Sequence, residues 1–270
     1  MAMHNEYWSL CRRQSLRSQY LARDIEYYTL QIGSSPIVRD YIWLHGSGEQ
    51  KRRQLMLTTN LYSAMYNRLQ APGWSLRLIM PLHLQDNLWC EFRMAECRME
   101  AFLINELLPK LHIDRDTDNI HAVRPELHGY SMGGYGALRL AIKHSRMFSR
   151  VITVGAGPLA DDLHSSEKGD SSIKQQILRS GYLNNPELFR RNSPYQIASQ
   201  YLDSLIGSGL KIRLIVGRND PAYQANSLVA RRLSMLGVSV DLITLEATSH
   251  PYVEYLHHLM KNEQLLGLDY

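Results

Sequence analysis

The chain lacks most features that would assign it to a special class. Its 270 residues hold only three cysteines, Cys11, Cys90 and Cys97. An odd number without metal-ligand spacing builds neither a disulfide framework nor a zinc ribbon, so a reducing compartment is expected. No run of about 18 apolar residues is present, which excludes a membrane-spanning helix. The opening MAMHNEYWSLCRRQ carries arginines where a secretory leader needs an apolar stretch. Together these absences predict a soluble, cytoplasmic protein. Charge of one sign is also scarce. The 30 Lys and Arg against 26 Asp and Glu leave a formal +4, too even to argue for a nucleic-acid partner. There is no Walker loop, no G-x-G-x-x-G after a strand and no C-x-x-C pair, so no cofactor is expected. The neighbours His257 and His258 alone make no metal site.

What is present is ordinary globular material, 44% hydrophobic and 21% charged, without internal repeats. That is enough for one large α/β domain spanning 1–270. Short apolar runs alternate with helix-period segments. Residues 25–32 read as an edge strand, and 40–44 as a buried strand ending at His45-Gly46. Leu57, Leu61, Met65 and Leu69 recur every four residues, a helix stopped by Pro72-Gly73. Strands follow at 76–80, 123–128, 150–154, 211–216 and 238–245. Helices are expected at 90–111, from Met132, at 221–236 and after 250. Such alternation implies a mostly parallel sheet flanked by helices on both faces. Residues 157–209 break the rhythm. They are polar, punctuated by Gly169, Gly181, Pro186 and Pro194, and predict short helices at 172–180, 186–191 and 194–204. An insertion without a strand of its own is read as a small helical cap over a site.

The most informative stretch is His128-Gly129-Tyr130-Ser131-Met132-Gly133-Gly134-Tyr135-Gly136-Ala137, which contains G-x-S-x-G. A serine hydroxyl is a poor nucleophile unless it stands exposed beside a base. A tight strand-to-helix turn presents Ser131 in that way, and glycines on either side relieve the crowding. The helix that follows aims backbone N–H groups at the turn, which favours a developing oxyanion. The strand before it is unusually polar and contains Pro125, so it is expected to be short or distorted.

With such an elbow the partners follow in the order serine, acid, histidine. Asp220 lies just past the 211–216 strand, and Pro221 suits the first turn of the next helix. Asp161 and Asp162 are rival acids; Asp241 lies inside a strand and fits less well. His250 occupies the loop before the final helix, the place for the base. His45, His128, His257 and His258 are read as structural. The turn His45-Gly46-Ser47-Gly48 should give the second oxyanion donor, Ser47 N–H, alongside Met132 N–H. Lys51-Arg52-Arg53 reads as the solvated first turn of a helix.

These segments resemble the putative-esterase branch of the α/β hydrolases, which includes esterase D, feruloyl esterases, siderophore esterases and the mycolyltransferase antigens. The resemblance rests on residues 41–46, on 127–138 with its S-M-G-G-Y-G-A-L run, on Met147-Phe148-Ser149, Asn192-Ser193-Pro194, 217–220 and Ser249-His250. It covers roughly residues 37–260. It implies an α/β-hydrolase fold, with Ser131, Asp220 and His250 as nucleophile, acid and base. Tyr130 stands where that family often has histidine. The expectation is a serine esterase or thioesterase acting on a small-molecule or carrier-bound acyl substrate. An acyltransferase with the same residues, or a catalytically silent binding protein of the same fold, are the alternatives. The sequence leaves the oligomeric state open.

Overall fold

The computed structural model describes residues 7–69, 72–83, 89, 98–111, 123–157, 159, 179, 182 and 184–268. Eight strands form one sheet in the order β1-β2-β4-β3-β5-β6-β7-β8. These are β1 (Arg12–Ser18), β2 (Arg23–Ile32), β3 (Val38–Leu44), β4 (Ser75–Pro81), β5 (Glu126–Tyr130), β6 (Arg150–Val154), β7 (Lys211–Gly217) and β8 (Val240–Leu245). From β4 to β8 every pairing is parallel, and β1 and β2 are antiparallel additions at one side.

Two expectations need correction here. The 25–32 strand is not an edge, because β2 pairs with β1 on one side and β4 on the other. The true edge, β1, reads RRQSLRS and is mostly exposed. It buries too little apolar surface to leave a period-two signal, and its ladder to β2 is what holds it. The polar strand before the elbow is displaced as well. Pro125 falls just outside β5, where its missing N–H costs no ladder bond.

The strands alternate their apolar side chains between two cores. Tyr41, Trp43, Leu76, Leu78 and Met80 face one layer, while Ile42, Leu44, Ile79 and Leu127 face the other. The first layer is covered by α1 (Lys51–Arg68) and by α8 (Tyr252–Leu259), which contribute Leu55, Leu61, Tyr62, Tyr255 and Leu259. The second is covered by a helix over 99–110, α2, interrupted by a π-helical turn at Leu103–Leu107, and by α3 (Met132–Lys143) and α7 (Tyr223–Met235). Helix α1 begins at Lys51, six residues before the first periodic leucine. Arg52 and Arg53 lie exposed on its first turn, as expected, but Lys51 is buried.

Of the expected cap, the described helices are α4 (Pro186–Asn192), α5 (Pro194–Gln200) and α6 (Leu202–Gly207). Asn185 and Ser193 cap the first two by accepting N–H bonds, and each is followed by proline at the first helical position. The helix expected over 194–204 breaks at Tyr201, which leaves helical geometry. Helix α5 packs against α3 and α7, beside the sheet. Tyr182 and Phe189 stack toward Tyr135 of α3. The helix expected over 172–180 falls almost wholly outside the described residues, as do Cys90, Cys97, Asp161 and Asp162. Cys11 is a free thiol. Among the described residues no helix is long and apolar enough to cross a membrane.

Candidate active site

The turn between β5 and α3 holds Ser131 at φ 51° and ψ −118°. A non-glycine residue with positive φ is strained, and such strain persists only where the surroundings enforce it. Here they do. Ser131 N–H donates to Val154 O in β6, and Ser131 O accepts from Tyr135 N–H and Gly157 N–H. The motif glycines are needed for close approach. A Cβ on Gly133 would fall on the carbonyl of Leu44, and one on Gly129 on the carbonyl of Gly133. Without side chains at these two positions, α3 lies directly against β3 and β5.

The serine, Asp220 and His250 come from three separate loops at the carboxyl ends of β5, β7 and β8. They meet in one hydrogen-bonded line. Ser131 Oγ is 2.9 Å from His250 Nε2, and His250 Nδ1 is 2.8 Å from Asp220 Oδ2. With Nδ1–H donating to the carboxylate, Nε2 is left to accept from the serine hydroxyl. The Asp220 side chain is fully buried while the imidazole is 40% exposed. Burial alone would push the Asp220 carboxyl up. Bonds from His250, from the Tyr255 hydroxyl and from Ala222 N–H outweigh it and hold the group below the usual carboxylate range.

Several residues to which the sequence reading gave no part in the site support this line. Tyr130 donates its hydroxyl to His250 O at 2.7 Å and stacks its ring on the imidazole, centroids 5.5 Å apart. Gln54, in the first turns of α1, accepts from Gly46 N–H at 2.8 Å and donates to Ser47 O at 3.3 Å, which pins the turn after β3. That turn is close to the elbow, since a Cβ on Gly46 would fall 3.2 Å from Ser131 Cβ. Met132 N–H is the first amide of α3, a position with no intrahelical acceptor.

The other histidines have different surroundings. His45 accepts from His83 N–H at 3.0 Å through Nε2 and donates from Nδ1 to Gly46 O, wholly buried beside Trp89. His128 lies between the Tyr62 hydroxyl and Glu126. His258 bonds Thr248 and so braces the loop that carries His250; His257 bonds Lys261 at the surface. Asp241 is in an ion pair with Arg213 within the sheet, away from the serine. Among the described residues no group of three or more His, Cys, Asp or Glu is gathered as a metal would require.

The model of the family described as "Putative esterase" matches residues 95–235, just over half of the chain, with both Ser131 and Asp220 inside the match. No curated protein matches the sequence. Among solved structures, a ferulic acid esterase aligns with a TM-score of 0.68 at 19% identity, over 93% of this chain and 95% of that one. The S-formylglutathione hydrolase FrmB of Staphylococcus aureus aligns with a TM-score of 0.65 at 15% identity, over 93% and 96%. MPT51 of Mycobacterium tuberculosis aligns with a TM-score of 0.64 at 15% identity, over 96% and 99%. At such identities the likeness is one of fold, and that fold is the α/β-hydrolase fold.

Proposed function

The chain belongs to the putative-esterase family of α/β hydrolases, and on that premise we propose that it is a serine hydrolase cleaving esters or thioesters through an acyl-enzyme. One observation carries the reading: the unbroken line from Ser131 Oγ through His250 to the buried Asp220 carboxylate. As Ser131 Oγ attacks the carbonyl carbon, His250 Nε2 takes its proton. Asp220 keeps the imidazole in the right tautomer and stabilises the imidazolium. The oxyanion that forms is held by Met132 N–H and Ser47 N–H. The choice of Ser47 follows from Gly46, whose own N–H is committed to Gln54. His250 then gives its proton to the leaving oxygen or sulfur, and the carbonyl re-forms as the acyl-serine. Water attacks the acyl carbon as His250 takes its proton, then His250 passes that proton to Ser131 Oγ as the acid departs. The insertion 157–209 contributes none of these groups, and its role in this reading is selectivity of a single hydrolase domain.

The test is covalent labelling with a fluorophosphonate, followed by a series of p-nitrophenyl esters and acyl thioesters of graded chain length. The wild type should label and turn over. Ser131→Ala should stay folded and lose both. Labelling that persists on another serine sinks the assignment, and a wild type that neither labels nor turns over is a binding protein. Product analysis with and without an added alcohol or amine separates hydrolysis from acyl transfer.

A further inference from the structure

The acid of the proposed triad is held by more than its histidine. Asp220 Oδ2 lies 2.8 Å from His250 Nδ1 and also 2.5 Å from the hydroxyl of Tyr255, and Oδ1 accepts from Ala222 N–H at 2.7 Å. The Tyr255 hydroxyl in turn accepts from Gly217 N–H at 2.8 Å, at the last residue of β7. This one oxygen therefore joins the strand that leads to the acid, the acid itself and the helix that follows the base. Tyr255 is wholly buried. Its ring packs beside Tyr130, centroids 6.1 Å apart, so the hydroxyl alone occupies the polar junction.

The main chain makes room for this junction. Gly155, the residue after β6, has φ +52°, and a Cβ on it would fall 2.9 Å from the Tyr255 hydroxyl and 3.0 Å from Asp220 Oδ2. A carboxylate bonded only to an imidazole can swing about its last torsion. With donors on both oxygens, and two of them on Oδ2, its plane is fixed.

We infer that Tyr255 is a positioning residue for the acid–base pair, donating to the same carboxylate oxygen that receives the His250 Nδ1 proton. This rests on the serine-hydrolase reading above. Tyr255 touches no substrate; it acts through Asp220 on the aim of His250. The bonds that keep the buried carboxylate ionised include this hydroxyl, in agreement with that role.

Tyr255→Phe keeps the ring and removes only the hydroxyl. Hydrolysis of p-nitrophenyl acetate, with kcat expressed per fluorophosphonate-titrated site, should fall roughly 10- to 100-fold, the range for a hydrogen bond to a charged group. KM should change little, because substrate binding is untouched. A second measurement needs no turnover. In Ser131→Ala, the low-field proton resonance of His250 Nδ1–H reports its bond to Asp220. Adding Tyr255→Phe removes a competing donor from Oδ2, so the resonance should move further downfield. Both changes are required. A kcat per titrated site equal to wild type, a resonance that stays in place, or a Tyr255→Phe protein that does not fold would each overturn the inference and leave Tyr255 a structural residue. Failure of Ser131→Ala to abolish labelling would instead strike the functional reading, and the resonance would still report on Tyr255.

Discussion

Among the described residues three histidine–carboxylate pairs have nearly the same length, and two of them, one in the proposed site and one inside the sheet, differ in an instructive way. His250 Nδ1 is 2.8 Å from Asp220, and His128 Nε2 is 3.0 Å from Glu126. The difference is what meets the second ring nitrogen. That of His250 faces Ser131 Oγ, on a ring 40% exposed. That of His128 faces the Tyr62 hydroxyl, on a ring with no exposure at all. His250 stands in a loop beyond the carboxyl end of a strand, where a substrate can reach it. His128 is inside a strand, three residues before Ser131 in sequence, with α1 covering it. A histidine–carboxylate contact is thus common protein chemistry; access and the third partner make it a reaction centre.

The sharpest way to break this comparison is to disable each pair in turn. Asp220→Asn should lower kcat by roughly three to four orders of magnitude, because the imidazole loses its tautomer and its counter-charge. Glu126→Gln should leave kcat of the folded protein close to wild type. Steady-state rates on p-nitrophenyl acetate decide it, and a crippled Glu126→Gln that is still folded would reverse the two assignments.

A third carboxylate, the buried Glu100, extends the comparison to pure stability. Glu100 accepts from Arg139 at 2.6 Å, from Lys143 at 2.5 Å and from His144 at 3.0 Å, tying α2 to the helix that follows Ser131. Burial opposes ionisation there, but His144, Arg139 and Lys143 overcome it and hold the carboxyl far below its usual range. Breaking such a network leaves the buried Arg139 guanidinium without its carboxylate, so Glu100→Gln should cost about 3 kcal/mol at neutral pH. Because the folded-state value is depressed, the contribution is complete above the unfolded value, about 4.3, and fades as pH falls below it. Urea melts at pH 7 and pH 3.5 should show the gap between wild type and variant narrowing in acid.

His128 offers a smaller effect in a different window. Burial holds its imidazole below the ordinary value, with Glu126 opposing. The unfolded chain therefore takes the proton more readily, and the stability contributed by the neutral ring is complete above about pH 6.5 and lost as pH falls below it. His128→Gln should flatten the fall in stability between pH 7.5 and pH 5.5, measured by urea melts across that range. A slope equal to wild type would mean that His128 takes up its proton alike in the folded and the unfolded chain.

The smallest effect separates the third partners themselves. Tyr62→Phe removes one hydroxyl from the His128 pair and should cost about 1 kcal/mol with kcat unchanged. Thermal melts and rates on the same preparation check both halves. A loss of rate at constant stability would mean that the two pairs are coupled through β5.

Much of this architecture was legible in the chain. Short apolar runs and helix-period patterns marked most strands and helices of the parallel half, because those elements bury apolar side chains against one another. The edge strand β1 was not legible: all its residues but Leu16 are polar, and its ladder and side-chain bonds to β2 hold it. The same limit governed the break at Tyr201, where periodicity does not mark the boundary, whereas the start of α1 at Lys51 agrees with the first turn read at Lys51-Arg52-Arg53.

The candidate site divides in the same way. The sequence by itself determined the elbow, since glycines must flank a serine forced to positive φ where α3 lies against β3. Chain order named Asp220 and His250. Only the tertiary structure decided that these side chains meet, and which other groups hold them. Gln54, Gly155 and Tyr255 carry no pattern that marks them, because the groups each one meets are brought to it only by the fold. Tyr255 reaches an acid 35 residues away, and Tyr130 a carbonyl 120 residues away. Periodicity and motifs record what neighbouring residues require of one another; hydrogen bonds between distant loops are fixed only when the sheet brings the ends of β5, β6, β7 and β8 to one edge.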